Sequence, residues 1–144
     1  MIRGVVFDMD GVLFDTERIS CESWAAAARE VGIPELAQAI SAYFGLNAKD
    51  SRALFESTYG DRLTYDEWVE RTNGRTGRYI DETGVPVKTG VRELLDYLKR
   101  NGIRIAMATS TRRERAEEYL RRTRLIGYFD RIVAGDMVDR KSVV

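Results

Sequence analysis

The sequence of 144 residues contains no histidine. Histidine-based nucleophile triads and metal sites built on imidazole are therefore excluded. Its single cysteine, Cys21, cannot close an internal disulfide, which fits a reducing, cytoplasmic setting. The expected place for that thiol is inside a helix, packed as a small hydrophobe. Net charge is also missing, because 23 basic residues balance 23 acidic ones. No bulk field then draws the chain to nucleic acid or to an anionic membrane, and neither is expected as a partner. A monomer is expected. No apolar run approaches the ~20 residues of a bilayer-spanning helix. Asp8 and Asp10 interrupt the first apolar run too early for a secretory signal. A Walker-type phosphate loop, a Gly-x-Gly-x-x-Gly turn, internal repeats and low-complexity tracts are all absent.

What is present is the composition of a globular protein, 44% hydrophobic and 32% charged, of a length suited to one domain or a small two-part domain. Residues 2–8 form a short apolar run ended by a turn signal and read as a buried strand. Residues 17–31 carry Ile19, Trp24, Ala27, Ala28 and Val31 near helical spacing, stopped at Gly32-Ile33-Pro34. Further helices are predicted over 36–44, 49–59 and 65–80, with Trp24 and Trp68 in their core. A linker over 84–87 follows. Thr89 is the predicted N-cap of a helix running to Asn101. Residues 103–108 read as a second buried strand, 114–123 as an amphipathic helix, and 131–134 as the start of a third strand. Within 111–124 the arginines interleave with Glu114, Glu117 and Glu118 at helical spacing, so ion pairs on a solvated face are expected rather than a nucleic-acid contact. Strands alternating with helices imply an α/β fold with a parallel sheet, and the helical block after the first strand reads as an insertion.

Ligands of open parallel sheets bind beyond the carboxyl ends of the strands, and Asp8 stands at such an end. Residues two apart on an extended chain point the same way, so Asp8 and Asp10 can both face that crevice while Gly11 turns the chain. Two carboxylates so close repel unless neutralised, and a hard divalent cation with oxygen ligands, Mg2+ beside phosphate, does so. One acid can then serve as nucleophile and the other as general acid/base. The alternative is an Asp-Gly turn with both acids solvated. The second strand ends Ala108-Thr109-Ser110-Thr111, placing hydroxyls at the same edge. They could hold a phosphate oxygen beside a helix start, or simply cap that helix. Asp15 is a candidate to brace the turn through backbone hydrogen bonds.

An apolar strand running into Asp8-Met9-Asp10-Gly11-Val12, then Asp15-Thr16, then a strand ending at Thr109, resembles the haloacid dehalogenase superfamily. More narrowly it is similar to the phosphoglycolate phosphatase and β-phosphoglucomutase-like branch. The resemblance implies a Rossmann-like parallel core with an inserted α-helical cap: residues 1–15 and 87–138 as core, 16–86 as cap. It also implies a Mg2+-dependent phosphatase acting on a small phosphorylated metabolite such as a sugar phosphate. Asp8 would attack phosphorus to give an aspartyl-phosphate, and Asp10 would protonate the leaving group and then activate water. Mg2+ would be held by the Asp8 carboxylate and the Asp10 main-chain carbonyl. Thr109, Ser110 and Gly11 would bind phosphate, with Lys141 the match for the family's neutralising lysine. Thr16, Glu17 and Lys49 would lie on the substrate side. Ser20 and Ala48 stand where the mutases have His and Arg, which favours a phosphatase over a mutase. An inert fragment or a non-catalytic binding module is the other alternative.

The family's acidic pair that completes the metal site finds no match, so the chain reads as C-terminally truncated. Residues 139–144, Asp-Arg-Lys-Ser-Val-Val, correspond to GAT CGG AAG AGC GTC GTG, a common sequencing-library adapter read in frame. They are expected to be a non-native tail. The nucleotide record checks this: other codons at those six positions overturn it.

Overall fold

The computed structural model describes residues 1–46 and 48–137. The elements are β1 (Gly4–Phe7), α1 (Thr16–Glu30), a 3-10 segment (Pro34–Tyr43), α2 (Ala48–Tyr59), α3 (Tyr65–Thr83), α4 (Val91–Arg100), β2 (Arg104–Ala108), α5 (Arg113–Arg122), a 3-10 turn (Ile126–Tyr128) and β3 (Arg131–Val133). The chain divides into two compact units: Met1–Thr16 together with the chain from Gly84 onward, and Glu17–Thr83. No described helix is long and apolar enough to cross a membrane.

The first unit is an α/β layer around a parallel sheet of order β1-β2-β3. Val5 sits level with Ile105, and Phe7 with Met107. Met107 in turn sits level with Ile132. Those residues share one face, and on it Ile105 and Met107 are fully buried. α4 packs against β2 and buries Val91, Leu95 and Leu98 at helical spacing. α5 buries Ala116, Tyr119 and Leu120. Asp130 ties β3 to β2: its carboxylate accepts the Ile105 N–H at 2.8 Å, and its own N–H donates to the Ile105 carbonyl at 2.7 Å.

The expected burial of the strands is met in full only by Ile105 and Met107 of β2, with Val5, Phe7 and Ile132 beside them half-buried. Val6 is 68% exposed and Val133 43%. The cause is handedness. Right-handed crossovers that step in one direction, β1 to β2 to β3, lay their helices on the same side of the sheet. Among the described residues, the face carrying Val6, Ala106 and Val133 has no helix over it. The expected Thr89 cap also differs: the N-cap of α4 is Gly90, at φ 84°, and no side chain bonds the helix start.

The second unit is helical and has a core of its own. Ala27, Ala28, Ile33, Leu36, Phe55 and Trp68 form it, with Trp24, Tyr43, Tyr59 and Tyr65 packed around. Trp24 meets Trp68 edge-on at 4.8 Å, and Phe55 stacks on Trp68 at 5.9 Å, the two favoured aromatic geometries. The Trp24 indole N–H donates to the Leu36 carbonyl at 2.5 Å. The segment expected as a helix over 36–44 winds as a 3-10 helix opened by Pro34. Thr64 and Glu67 form a capping box at the start of α3: the Glu67 N–H donates to the Thr64 hydroxyl at 3.3 Å, and the Thr64 N–H to the Glu67 carboxylate at 3.1 Å. Arg52 joins α2 to the start of α3 through Asp66 at 2.6 Å. Cys21 is half-buried. Burial, then the charges of Glu17 and Glu22, push its thiol above the ordinary value.

On α5, Arg113 and Arg121 both pair with Glu117 at 2.6 Å, and Arg122 pairs with Glu118 at 3.3 Å. These are the expected pairs one helical turn apart.

Phe55→Ala is expected to destabilise the helical unit by about 3–5 kcal/mol, read by chemical denaturation. Val6→Thr, on the open face, is expected to change stability by less than ~0.5 kcal/mol. A large loss at Val6 would mean that face is covered.

Candidate active site

β1 ends at Phe7 and β2 at Ala108. Because the two strands are parallel and in register at Phe7 and Met107, residues 8–10 and 109–111 leave the sheet at the same edge. Asp8 is exposed there and Asp10 half-buried. The Met9 N–H donates to one Asp8 oxygen at 2.6 Å, while the Met9 side chain is fully buried and anchors the turn between the two acids.

The turn is held from two sides. Gly11 takes φ 74°, a left-handed conformation costly for other residues, and its N–H donates to the Phe14 carbonyl at 2.9 Å. Its carbonyl accepts the Lys88 ammonium at 2.8 Å. Phe14 pairs with Val87 as an antiparallel bridge, and the Asp15 N–H donates to the Pro86 carbonyl at 2.9 Å. The Phe14 ring meets Tyr119 edge-on at 6.0 Å. Tyr119 is buried, and burial is the main reason its phenol lies above the ordinary value, with the Asp10 charge adding to it against Arg115.

Asp10 is the most connected side chain of the site. Thr16, 5% exposed, donates its hydroxyl to one Asp10 oxygen at 2.6 Å. Thr111 donates its hydroxyl to the other at 2.8 Å. Thr109 is buried, and its hydroxyl oxygen accepts the Thr111 N–H at 3.1 Å, leaving the hydroxyl proton for another acceptor. Its own N–H donates to the Val133 carbonyl at 2.9 Å. The capping alternative for residues 109–111 fails. The N-cap of α5 is Arg112, and the first helical N–H, that of Arg113, is taken by Asp136 at 2.9 Å.

The sheet unit thus brings together Asp8, Asp10, Gly11, Thr16, Thr109 and Ser110. Glu17 and Lys49 are exposed, in the first turns of α1 and α2, and belong to the helical unit. Lys141 and the rest of residues 139–144 lie outside the described residues. Two contacts escaped the sequence reading. Thr111 had a signal, a third hydroxyl in the Thr-Ser-Thr run, but its partner lies 101 residues away. Lys88 offers no signal in sequence.

For a metal, Asp8 and Asp10 offer oxygen donors only, the kind a hard divalent cation takes. Among the described residues no group of three or more acidic or cysteine side chains stands together as a complete site. The chain would supply the Asp8 carboxylate and the Asp10 main-chain carbonyl as part of a ligand set.

An acid pair at the end of the first strand of a parallel sheet is thus faced by hydroxyls from the end of the second. The chain belongs to the haloacid dehalogenase-like hydrolase family, whose model matches residues 5–142. A phosphorylated carbohydrates phosphatase of Thermotoga maritima is 32% identical over 137 residues, covering 95% of this chain and 63% of that protein. A phosphoglycolate phosphatase of Nitrosospira multiformis is 29% identical, covering 98% and 64%. A crystal structure from Thermotoga maritima, provisionally named a β-phosphoglucomutase, superposes with a TM-score of 0.73 at 32% identity, covering 96% of this chain and 64% of that one. The chain therefore spans less than two thirds of each of these three relatives.

Thr109→Val removes the buried hydroxyl at the strand end with little change of shape. It is expected to weaken binding of inorganic phosphate about tenfold or more, read by calorimetry. Unchanged binding removes Thr109 from the phosphate-binding set.

Proposed function

We propose that the protein is a phosphatase acting on a small phosphorylated metabolite, a sugar phosphate or similar ester, through an aspartyl-phosphate on Asp8. The observation that carries this reading is the meeting of two acids from the end of β1 with the hydroxyl turn from the end of β2, with Thr111 bonded to Asp10. The phosphatase names of the relatives at 32% and 29% identity support it.

In this reading an Asp8 carboxylate oxygen attacks phosphorus. The bond from phosphorus to the leaving oxygen breaks as Asp10 delivers a proton to that oxygen. Asp10, now a carboxylate, takes a proton from water as the water attacks phosphorus. The bond from Asp8 to phosphorus breaks, releasing phosphate and restoring Asp8. Thr109, with Ser110 and Gly11, orients the phosphate at the strand ends. Asp8 and the Asp10 main-chain carbonyl would hold part of a Mg2+ site, and the ion would supply charge neutralisation between carboxylate and phosphate. Thr16, Glu17 and Lys49 are the candidates on the substrate side.

The mutase reading draws on the provisional name of the solved neighbour. Ser20 and Ala48 weigh against it, since neither can supply the imidazole or guanidinium that the resemblance places there. Free phosphate rather than an isomerised sugar phosphate is the expected product.

The test is phosphate release from sugar phosphates and phosphoglycolate in Mg2+, by this chain beside the Thermotoga maritima phosphatase. Turnover that a chelator abolishes and Mg2+ restores supports the reading. Asp8→Asn is expected to lower it by at least about three orders of magnitude, and substantial residual turnover refutes the nucleophile. Turnover by the relative alone favours the alternative of an inert fragment or a non-catalytic binding module.

A further inference from the structure

The geometry points to Thr111 as a positioning residue for the Asp10 carboxylate, a role that rests on the phosphatase reading above. A carboxylate held through one oxygen can still swing about that bond. Thr16 holds one Asp10 oxygen at 2.6 Å, and Thr111 takes the other at 2.8 Å, which fixes the plane of the group.

Thr111 is built for this. Its N–H is committed to the Thr109 hydroxyl at 3.1 Å, and its carbonyl accepts the Gly135 N–H at 3.0 Å. Gly135 is required by close approach, because a Cβ there would sit 2.1 Å from the Ser110 carbonyl oxygen. The backbone on either side of Thr111 is thereby held, and a β-branched side chain has a stiff first torsion. The hydroxyl has no capping duty, since Asp136 serves the start of α5. Its partner is reached across 101 residues of sequence, so the bond exists only when β1 and β2 are paired in register. Orientation of the group that moves the proton is worth more to catalysis than one exposed hydrogen bond is to folding.

Thr111→Val removes the hydroxyl and keeps the shape, while Thr111→Ser keeps the hydroxyl. Two substrates separate the roles. A sugar phosphate has a leaving group that needs a proton, whereas p-nitrophenyl phosphate has one that does not. Positioning predicts that Thr111→Val lowers kcat for the sugar phosphate about tenfold or more with KM within about twofold. The first-turnover burst of p-nitrophenolate changes less than about threefold, and Thr111→Ser restores kcat for the sugar phosphate. A rise in KM for both substrates assigns Thr111 to phosphate binding and overturns the proposal. An equal loss on both substrates, following a loss of folded protein, makes it structural and also overturns it. A second arm needs no turnover. The 13C resonance of the Asp10 carboxylate in the folded chain shifts in Thr111→Val and returns in Thr111→Ser, and an unmoved resonance overturns the proposal. If wild-type protein turns over neither substrate, the phosphatase reading fails and the resonance alone decides whether Thr111 holds Asp10.

Discussion

The parallel pairing of β1 with β2 is the constraint on which the rest of the sheet unit depends. With Phe7 level with Met107, the residues that leave the two strands emerge side by side although about a hundred positions separate them. A slip of one residue would turn the buried face outward and carry residues 109–111 away from Asp10. Ile105 and Met107, buried on that face, oppose such a slip through the hydrophobic cost of exposing them. Asp130 adds a pair of hydrogen bonds that secures β3 against Ile105.

The turn after β1 is held by a different device. Its acids are not buried behind apolar groups but tied by short local and long-range hydrogen bonds. Met9 is the anchor in the core, Gly11 makes the reversal, and Lys88 fastens the Gly11 carbonyl from the far side of the insertion. Rigid attachment of an otherwise exposed turn is what a site acting on a charged ligand requires, because the acid groups must keep their places without the help of a dry interior. The helical unit solves a separate problem. It builds its own core from aromatic rings whose edge-on and stacked contacts specify how α1, α2 and α3 sit together.

The local chemistry was readable because it is written in adjacent residues. Asp8 and Asp10 after an apolar run, the break at Gly32-Ile33-Pro34, and the Arg-Glu spacing of α5 all declare themselves within a few positions. The failures have tertiary causes. The 3-10 segment Pro34–Tyr43 is fastened by an indole that reaches in from α1. The openness of Val6 follows from the hand of two crossovers. Thr89 has the chemistry of a cap but the backbone places Gly90 at the helix start.

The sequence by itself determined the alternation of strands and helices, the helical insertion, the acid pair and the hydroxyl run, since each is a pattern of neighbouring side chains. Only the tertiary structure decided that Thr111 belongs to Asp10, that Asp136 rather than a threonine takes the Arg113 N–H at the start of α5, and that one face of the sheet is open among the described residues. Those facts depend on register, crossover hand and contacts between residues far apart in the chain, and no local pattern encodes them.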